Sequence, residues 1–188
     1  MVLIEIMIKI NTNTHLINDV PFYKSDNCDN RPIGIEIDTI IIHCISLPEG
    51  KYANNNIIDL FQNKLDIEKD KSFKSIVDLK VSAHILIRRN GDIIQFVPLN
   101  LRAWHAGKSE YNHRVKFNDF SIGIELEGTV NSRFEEEQYL SLIEIISEIK
   151  TCYPKVIDDN IIGHNIISPD RKKDPGKYFD WKRIKGKS

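Results

Sequence analysis

Ile35-Glu-Ile-Asp-Thr-Ile-Ile-Ile-His-Cys-Ile45 begins as an alternation of apolar and polar residues and closes on a continuous β-branched run. Alternation is the pattern of a strand with one solvated face, and an unbroken β-branched run that of a strand covered on both faces. The segment therefore predicts a strand entering the centre of a sheet. It carries His43 at its far end, where Ser46-Leu47-Pro48 starts a loop.

Working outward, Asn55 to Leu65 predicts a short helix, and Lys80–Arg88 with Asp92–Val97 predicts a hairpin around Asn90-Gly91, closed by Pro98. Phe120 to Glu127 alternates cleanly, with Phe120, Ile122, Ile124 and Leu126 on one face and Ser121, Gly123, Glu125 and Glu127 on the other. Ser132 with Glu135 has the spacing of a capping box. Tyr139, Leu142, Ile143, Ile146 and Ile149 follow at helical spacing as far as Pro154. Strands and helices alternate, which predicts the α/β class in a single domain. The polar, turn-rich segment 1–34 reads as an arm or cover, 35–181 as the domain proper and 182–188 as a basic C-terminal tail. From Gly163 onward the chain reads as irregular, the kind of long segment that is often a functional loop.

Composition narrows the function classes. Of 188 residues, 41 % are hydrophobic and 28 % charged, so a folded globular chain is expected rather than a disordered one. Twenty-six Lys and Arg against 27 Asp and Glu leave a net charge of -1, too little to draw the chain to nucleic acid or anionic lipid. The expected ligand is small and locally recognised, with no obligate protein partner evident. Cys28, Cys44 and Cys152 are odd in number and widely spaced, which points to a reducing compartment. Met1 to Ile10 is interrupted by Glu5 and Lys9 and reads as mature protein, and no stretch is long and apolar enough to span a bilayer. A cytoplasmic protein is expected.

Six histidines are available, at 15, 43, 84, 105, 113 and 164. His43 and His164 each end an apolar run where a loop begins, a setting for a metal ligand but equally for a satisfied core histidine. In Pro169-Asp-Arg-Lys-Lys-Asp-Pro-Gly176, an extended backbone would turn Lys172 and Asp174 to the same side. Two neutral imidazoles and one carboxylate leave zinc an open fourth position, the arrangement of a catalytic site. The competing reading of the segment is a solvated charge run ending in a turn. Glu125 shares its strand face with Ser121 and Gly123, which leaves room for a ligand, and a carboxylate there would have a raised pKa suited to moving protons. Glu127 lies on the same face, and periodicity does not choose between them.

Five stretches in order carry a resemblance: His43-Cys-Ile-Ser-Leu-Pro-Glu-Gly50, Val81-Ser-Ala-His-Ile-Leu-Ile-Arg-Arg-Asn-Gly91, Arg102-Ala-Trp-His-Ala-Gly107, Asn118-Asp-Phe-Ser-Ile-Gly-Ile-Glu-Leu-Glu-Gly128, and Gly163-His164 with Pro169 to Gly176. They resemble the zinc-dependent N-acetylmuramoyl-L-alanine amidases, the family of phage amidase-type lysozymes and peptidoglycan-recognition proteins, and within it the cytosolic amidases of bacterial cell-wall recycling. The resemblance implies a mixed central β-sheet flanked by helices. It also implies zinc held by His43, His164 and Asp174, Glu125 as general acid/base, and Lys172 stabilising the transition state. Its substrate would be a small soluble anhydro-muropeptide, with Lys80, Trp104 and Lys116 as substrate contacts. His84 and His105 are assigned to packing, hydrogen bonding or substrate contact. Two departures stand out: Lys80 and Lys116 stand where the recycling enzymes have arginines, which loses a bidentate fork, and the loop 51–56 lacks the expected glycines. The rival readings are an amidase of intact murein and a non-catalytic muropeptide-binding module.

Overall fold

The computed structural model describes residues 8–185; most of the Met1 to Ile10 stretch and residues 186–188 of the basic tail lie outside the described residues. The elements run β1 (Cys28–Asn30), β2 (Thr39–Ile45), α1 (Asn56–Phe61), β3 (Ile85–Ile87), β4 (Ile93–Gln95), β5 (Leu101–Ala103), β6 (Glu110–Tyr111), β7 (Arg114–Val115), β8 (Ser121–Glu127), α2 (Glu136–Cys152), β9 (Ile161–Gly163) and α3 (His164–Ile167). A five-stranded sheet has the order β4, β3, β8, β2, β9, antiparallel between β3 and β4 and parallel elsewhere. The α/β domain with a mixed central sheet flanked by helices is therefore what the chain forms. Among the described residues, no helix is long and apolar enough to cross a membrane.

The burial pattern of β2 explains its composition. Ile40 and Ile42 pack with Ile122, Ile124 and Leu126 of β8 beneath Leu142, Ile145 and Ile149 of α2. Ile41 faces the other way, into a cluster with Ala106, Phe117, Phe120 and Ile167. All three isoleucines are fully buried, so each contributes about 1.5–3 kcal/mol by leaving water. Further along that second face, α1 lays Ile57 and Phe61 over Leu86 and Phe96. The N-terminal segment crosses α2, where the Ile10 backbone N–H donates to Glu148 at 3.1 Å, and continues to β1, which pairs with β5.

Three local expectations need correction. The N-cap of α2 is Glu135, whose backbone N–H donates to Gln138 Oε1 at 3.1 Å, so the capping box lies three residues later than Ser132 and Glu135 suggested. The rings of Phe134 and Tyr139 meet edge-on at 6.5 Å and staple the helix start in that register, while Ser132 Oγ takes the Thr129 N–H. Phe120 precedes the strand rather than joining its α2 face; it packs on Phe117, with the Arg114 guanidinium 3.7 Å over its ring. The chain after Gly163 is not wholly irregular, because His164 opens the one-turn helix α3.

Candidate metal centre

Parallel pairing of β2 with β8 sets His43 opposite Glu125, and pairing with β9 sets Ile42 opposite Gly163, so His164 emerges just beyond the same sheet edge. The third arm arrives because Gly163 has no side chain. A Cβ there would lie 2.8 Å from Pro175 Cδ, and the Asn165 N–H reaches the Asp174 carbonyl at 2.9 Å. The 168–176 loop is thus drawn against the end of β9, delivering Asp174 to the two histidines. Lys172, half-buried, lies close enough for its charge to act on His43 and Glu125.

His43 Nδ1 stands 2.9 Å from His164 Nδ1 and 3.0 Å from Asp174 Oδ2, and His164 Nδ1 is 3.1 Å from the same oxygen. His164 Nε2 faces the Ala106 carbonyl at 3.2 Å, which only accepts, so that nitrogen carries the proton and Nδ1 is a bare lone pair. A bare nitrogen aimed at a carboxylate oxygen is repulsive until a cation lies between them. Donor atoms around tetrahedral zinc sit about 3.3 Å apart for bonds of about 2.0–2.1 Å, so the three residues fit the ion in geometry, and His164 in lone-pair direction as well. Burial holds the His43 imidazole down to about 4, which keeps it neutral and available as a ligand at ordinary pH.

Glu125 Oε2 is buried and has no hydrogen-bond partner among the described residues. Burial, reinforced by the Asp174 charge and opposed by Lys172, pushes its carboxyl well above the usual carboxylate range. Glu127, which strand periodicity left equal to Glu125, is occupied elsewhere. It is 1 % exposed and accepts the Ala53 N–H at 3.0 Å and the Arg89 N–H at 3.3 Å, with Arg88 at 3.8 Å. Ala53 sits at φ +54°, a left-handed conformation that glycine adopts freely, within the loop whose missing glycines were noted. Glu127→Ala strands two backbone donors, so denaturant titration should show a loss of about 1–3 kcal/mol while most of the turnover survives.

Residues 29–177 match the N-acetylmuramoyl-L-alanine amidase family. The chain belongs to that family. It is 48 % identical over 168 residues to the 1,6-anhydro-N-acetylmuramyl-L-alanine amidase AmpD of Haemophilus influenzae, covering 89 % of this chain and 91 % of the relative. A crystal structure of a selenomethionine AmpD derivative superposes with a TM-score of 0.88 at 42 % identity, covering 91 % of this chain and 95 % of that one. The Escherichia coli amidase AmiD, solved with anhydro-N-acetylmuramic acid-L-Ala-D-γ-Glu-L-Lys, is 29 % identical with a TM-score of 0.57, over 82 % of this chain and 59 % of that one.

In this amidase the space expected beside Gly123 for a ligand is filled by His105. A Cβ on Gly123 would fall 2.5 Å from His105 Cγ, and His105 Nδ1 lies 2.9 Å from His43 Nε2. His84 is a hydrogen-bonding core residue whose Nδ1 accepts the Gly123 N–H at 3.0 Å. Trp104 is half-buried, one residue before His105. Lys80 and Lys116 are both exposed, and neither ammonium has a hydrogen-bond or ion-pair partner among the described residues. Lys116 lines a surface cleft of about 880 Å³ with Lys108, Tyr111 and Arg171, whereas Lys80 lies in the loop before β3. Sequence reading missed Arg31, whose guanidinium is buried in the domain, because nothing local marks an arginine beside a proline in a polar segment as interior.

Proposed function

We propose that this amidase holds zinc through His43, His164 and Asp174 and hydrolyses the lactyl amide between 1,6-anhydro-N-acetylmuramic acid and L-alanine in soluble muropeptides, a cytoplasmic step of cell-wall recycling. The observation that supports the reading most is the convergence of two imidazole nitrogens and a carboxylate oxygen within 3.1 Å of one another, next to Glu125, whose buried Oε2 has no hydrogen-bond partner among the described residues. The names of the AmpD relatives and the ligand of the AmiD complex support the substrate class.

Zinc, when bound, supplies a Lewis acid for the scissile carbonyl and its attacking water. Glu125 takes the proton of that water and passes it to the leaving amine, for which its raised proton affinity suits it. The Lys172 ammonium offsets the negative charge that develops on the carbonyl oxygen. Exposed Lys80 and Lys116 meet carboxylates of the stem peptide as point charges, and Trp104 offers a flat face to sugar or peptide.

Mass spectrometry of an anhydro-muropeptide incubated with the protein tests this. The expected products are the free anhydro sugar and a peptide beginning with L-alanine, formed with zinc, absent after chelation and restored by adding zinc back. Intact sacculi should remain undigested. Undiminished turnover in metal-free protein would remove the zinc reading, and digestion of sacculi at a comparable rate would remove the substrate assignment.

A further inference from the structure

We infer that His105 is a positioning residue, which together with Ser121 and the Phe117 carbonyl holds His43 with its Nδ1 lone pair turned into the metal centre. The inference rests on the reading of His43 as a metal ligand.

Ser121 Oγ lies 2.5 Å from the Phe117 carbonyl oxygen, which has no proton to give, so the hydroxyl donates there. The same oxygen, 3.2 Å from His105 Nε2, is then left as an acceptor, so His105 Nε2 carries a proton. A neutral imidazole has one N–H and one bare nitrogen, which makes His105 Nδ1 the acceptor. His43 Nε2, at 2.9 Å from it, must therefore be the donor. The remaining nitrogen of His43, Nδ1, is bare and faces His164 and Asp174. The chain of bonds starts at a backbone carbonyl and ends by selecting the tautomer of His43 that a metal requires.

The parts are held tightly enough to enforce this. His105 is pressed against Gly123, where even a Cβ would collide, so the ring has no freedom to swing toward β8. Its backbone is fastened as well, because the side-chain oxygen of Asn118 accepts the N–H groups of His105 and Ala106 at 3.1 and 2.7 Å. Phe117 to Asp119 form a 3-10 turn, and Arg31 clamps it: the guanidinium donates to the carbonyls of Asn118, Asp119 and Ser121 at 2.9–3.0 Å. The buried arginine of the N-terminal segment thus holds the turn that supplies both the Phe117 carbonyl and the Asn118 side chain.

Two readouts test the role. Nitrogen-15 NMR of the metal-free protein should show His43 as the Nε2–H tautomer in the wild type and as a mixture in Ser121→Ala, where His105 Nε2 has lost its acceptor. Zinc affinity from chelator competition should fall roughly 10- to 100-fold in His105→Ala and by less in Ser121→Ala. Ile41→Val, a buried change on the same sheet face that leaves the bonds intact, should keep wild-type affinity. An Nδ1–H tautomer for wild-type His43, or equal zinc affinities for the Ser121→Ala and Ile41→Val proteins, would overturn the inference. A wild type that binds no zinc would count against the metal assignment instead, and the tautomer measurement on metal-free protein would still decide the role of His105.

Discussion

His43→Ala, His164→Ala and Asp174→Ala should each abolish zinc retention and bring turnover to background. A catalytic zinc with three protein ligands has no reserve: removing one leaves two donors and a partly hydrated ion, a larger loss than the roughly 10- to 100-fold that follows removal of a group that only orients a ligand. No neighbour replaces the missing atom. Cys44 packs with the core on the α2 side, and burial pushes its thiol up, away from the thiolate a metal needs. His105 offers its Nδ1 to His43 and its Nε2 to Ser121. Metal content by plasma emission and turnover on anhydro-muropeptide are the measurements; full zinc in Asp174→Ala would show that the carboxylate is not a ligand.

Buried His43, His84 and His105 give the metal-free protein an acid limit. Burial holds His43 at about 4 in the fold against 6.5 when exposed, and it lowers His84 and His105 as well. Between those values the unfolded chain binds more protons than the folded one. The stability contributed by these neutral rings is present above pH 6.5 and is lost as pH falls toward 4.

What was legible beforehand follows the physics of each segment. The isoleucine run of β2 and the alternation of β8 are local signals, because a central strand must be apolar on both sides and a strand with one polar face must alternate. His43 and Glu125 could be nominated from those strands, yet only the parallel register that pairs them shows that they face one site. The contrast between Glu125 and Glu127 was invisible to periodicity, since what separates them is which loops reach each carboxylate. Ala53 and Arg89 arrive at Glu127, and no donor among the described residues reaches Glu125 Oε2. Gly123 misled for a related reason. A small residue on a strand announces that something approaches closely, and here the visitor is His105 of the same chain. The start of α2 was misplaced because a polar pair at capping-box spacing competes with a second such pair, and the Phe134 staple decided between them.

Glu125→Gln should keep zinc and fold but lower the turnover number by roughly 10²- to 10⁴-fold, the scale of losing a general base. Lys172→Ala, which removes the ammonium that offsets charge on the carbonyl oxygen, belongs near 10²- to 10³-fold. For Glu125 the sign of the accompanying stability change separates a catalytic carboxylate from a structural one. Its carboxyl is raised well above 4.5 by burial, so the fold favours the protonated form. That contribution is complete below pH 4.5 and is lost as pH rises through the folded-state value, so at neutral pH the buried carboxyl costs the metal-free fold stability that an uncharged side chain would not. Glutamine has the same shape and no charge. Metal-free Glu125→Gln should therefore melt at a higher temperature than metal-free wild type at pH 7 and at nearly the same temperature at pH 4, while Glu127→Ala should melt lower at pH 7. A carboxylate whose removal stabilises the fold and stops the reaction is maintained for chemistry. If Glu125→Gln were instead less stable at pH 7 and fully active, and Glu127→Ala were inactive, the general base would have to be placed one strand repeat further on.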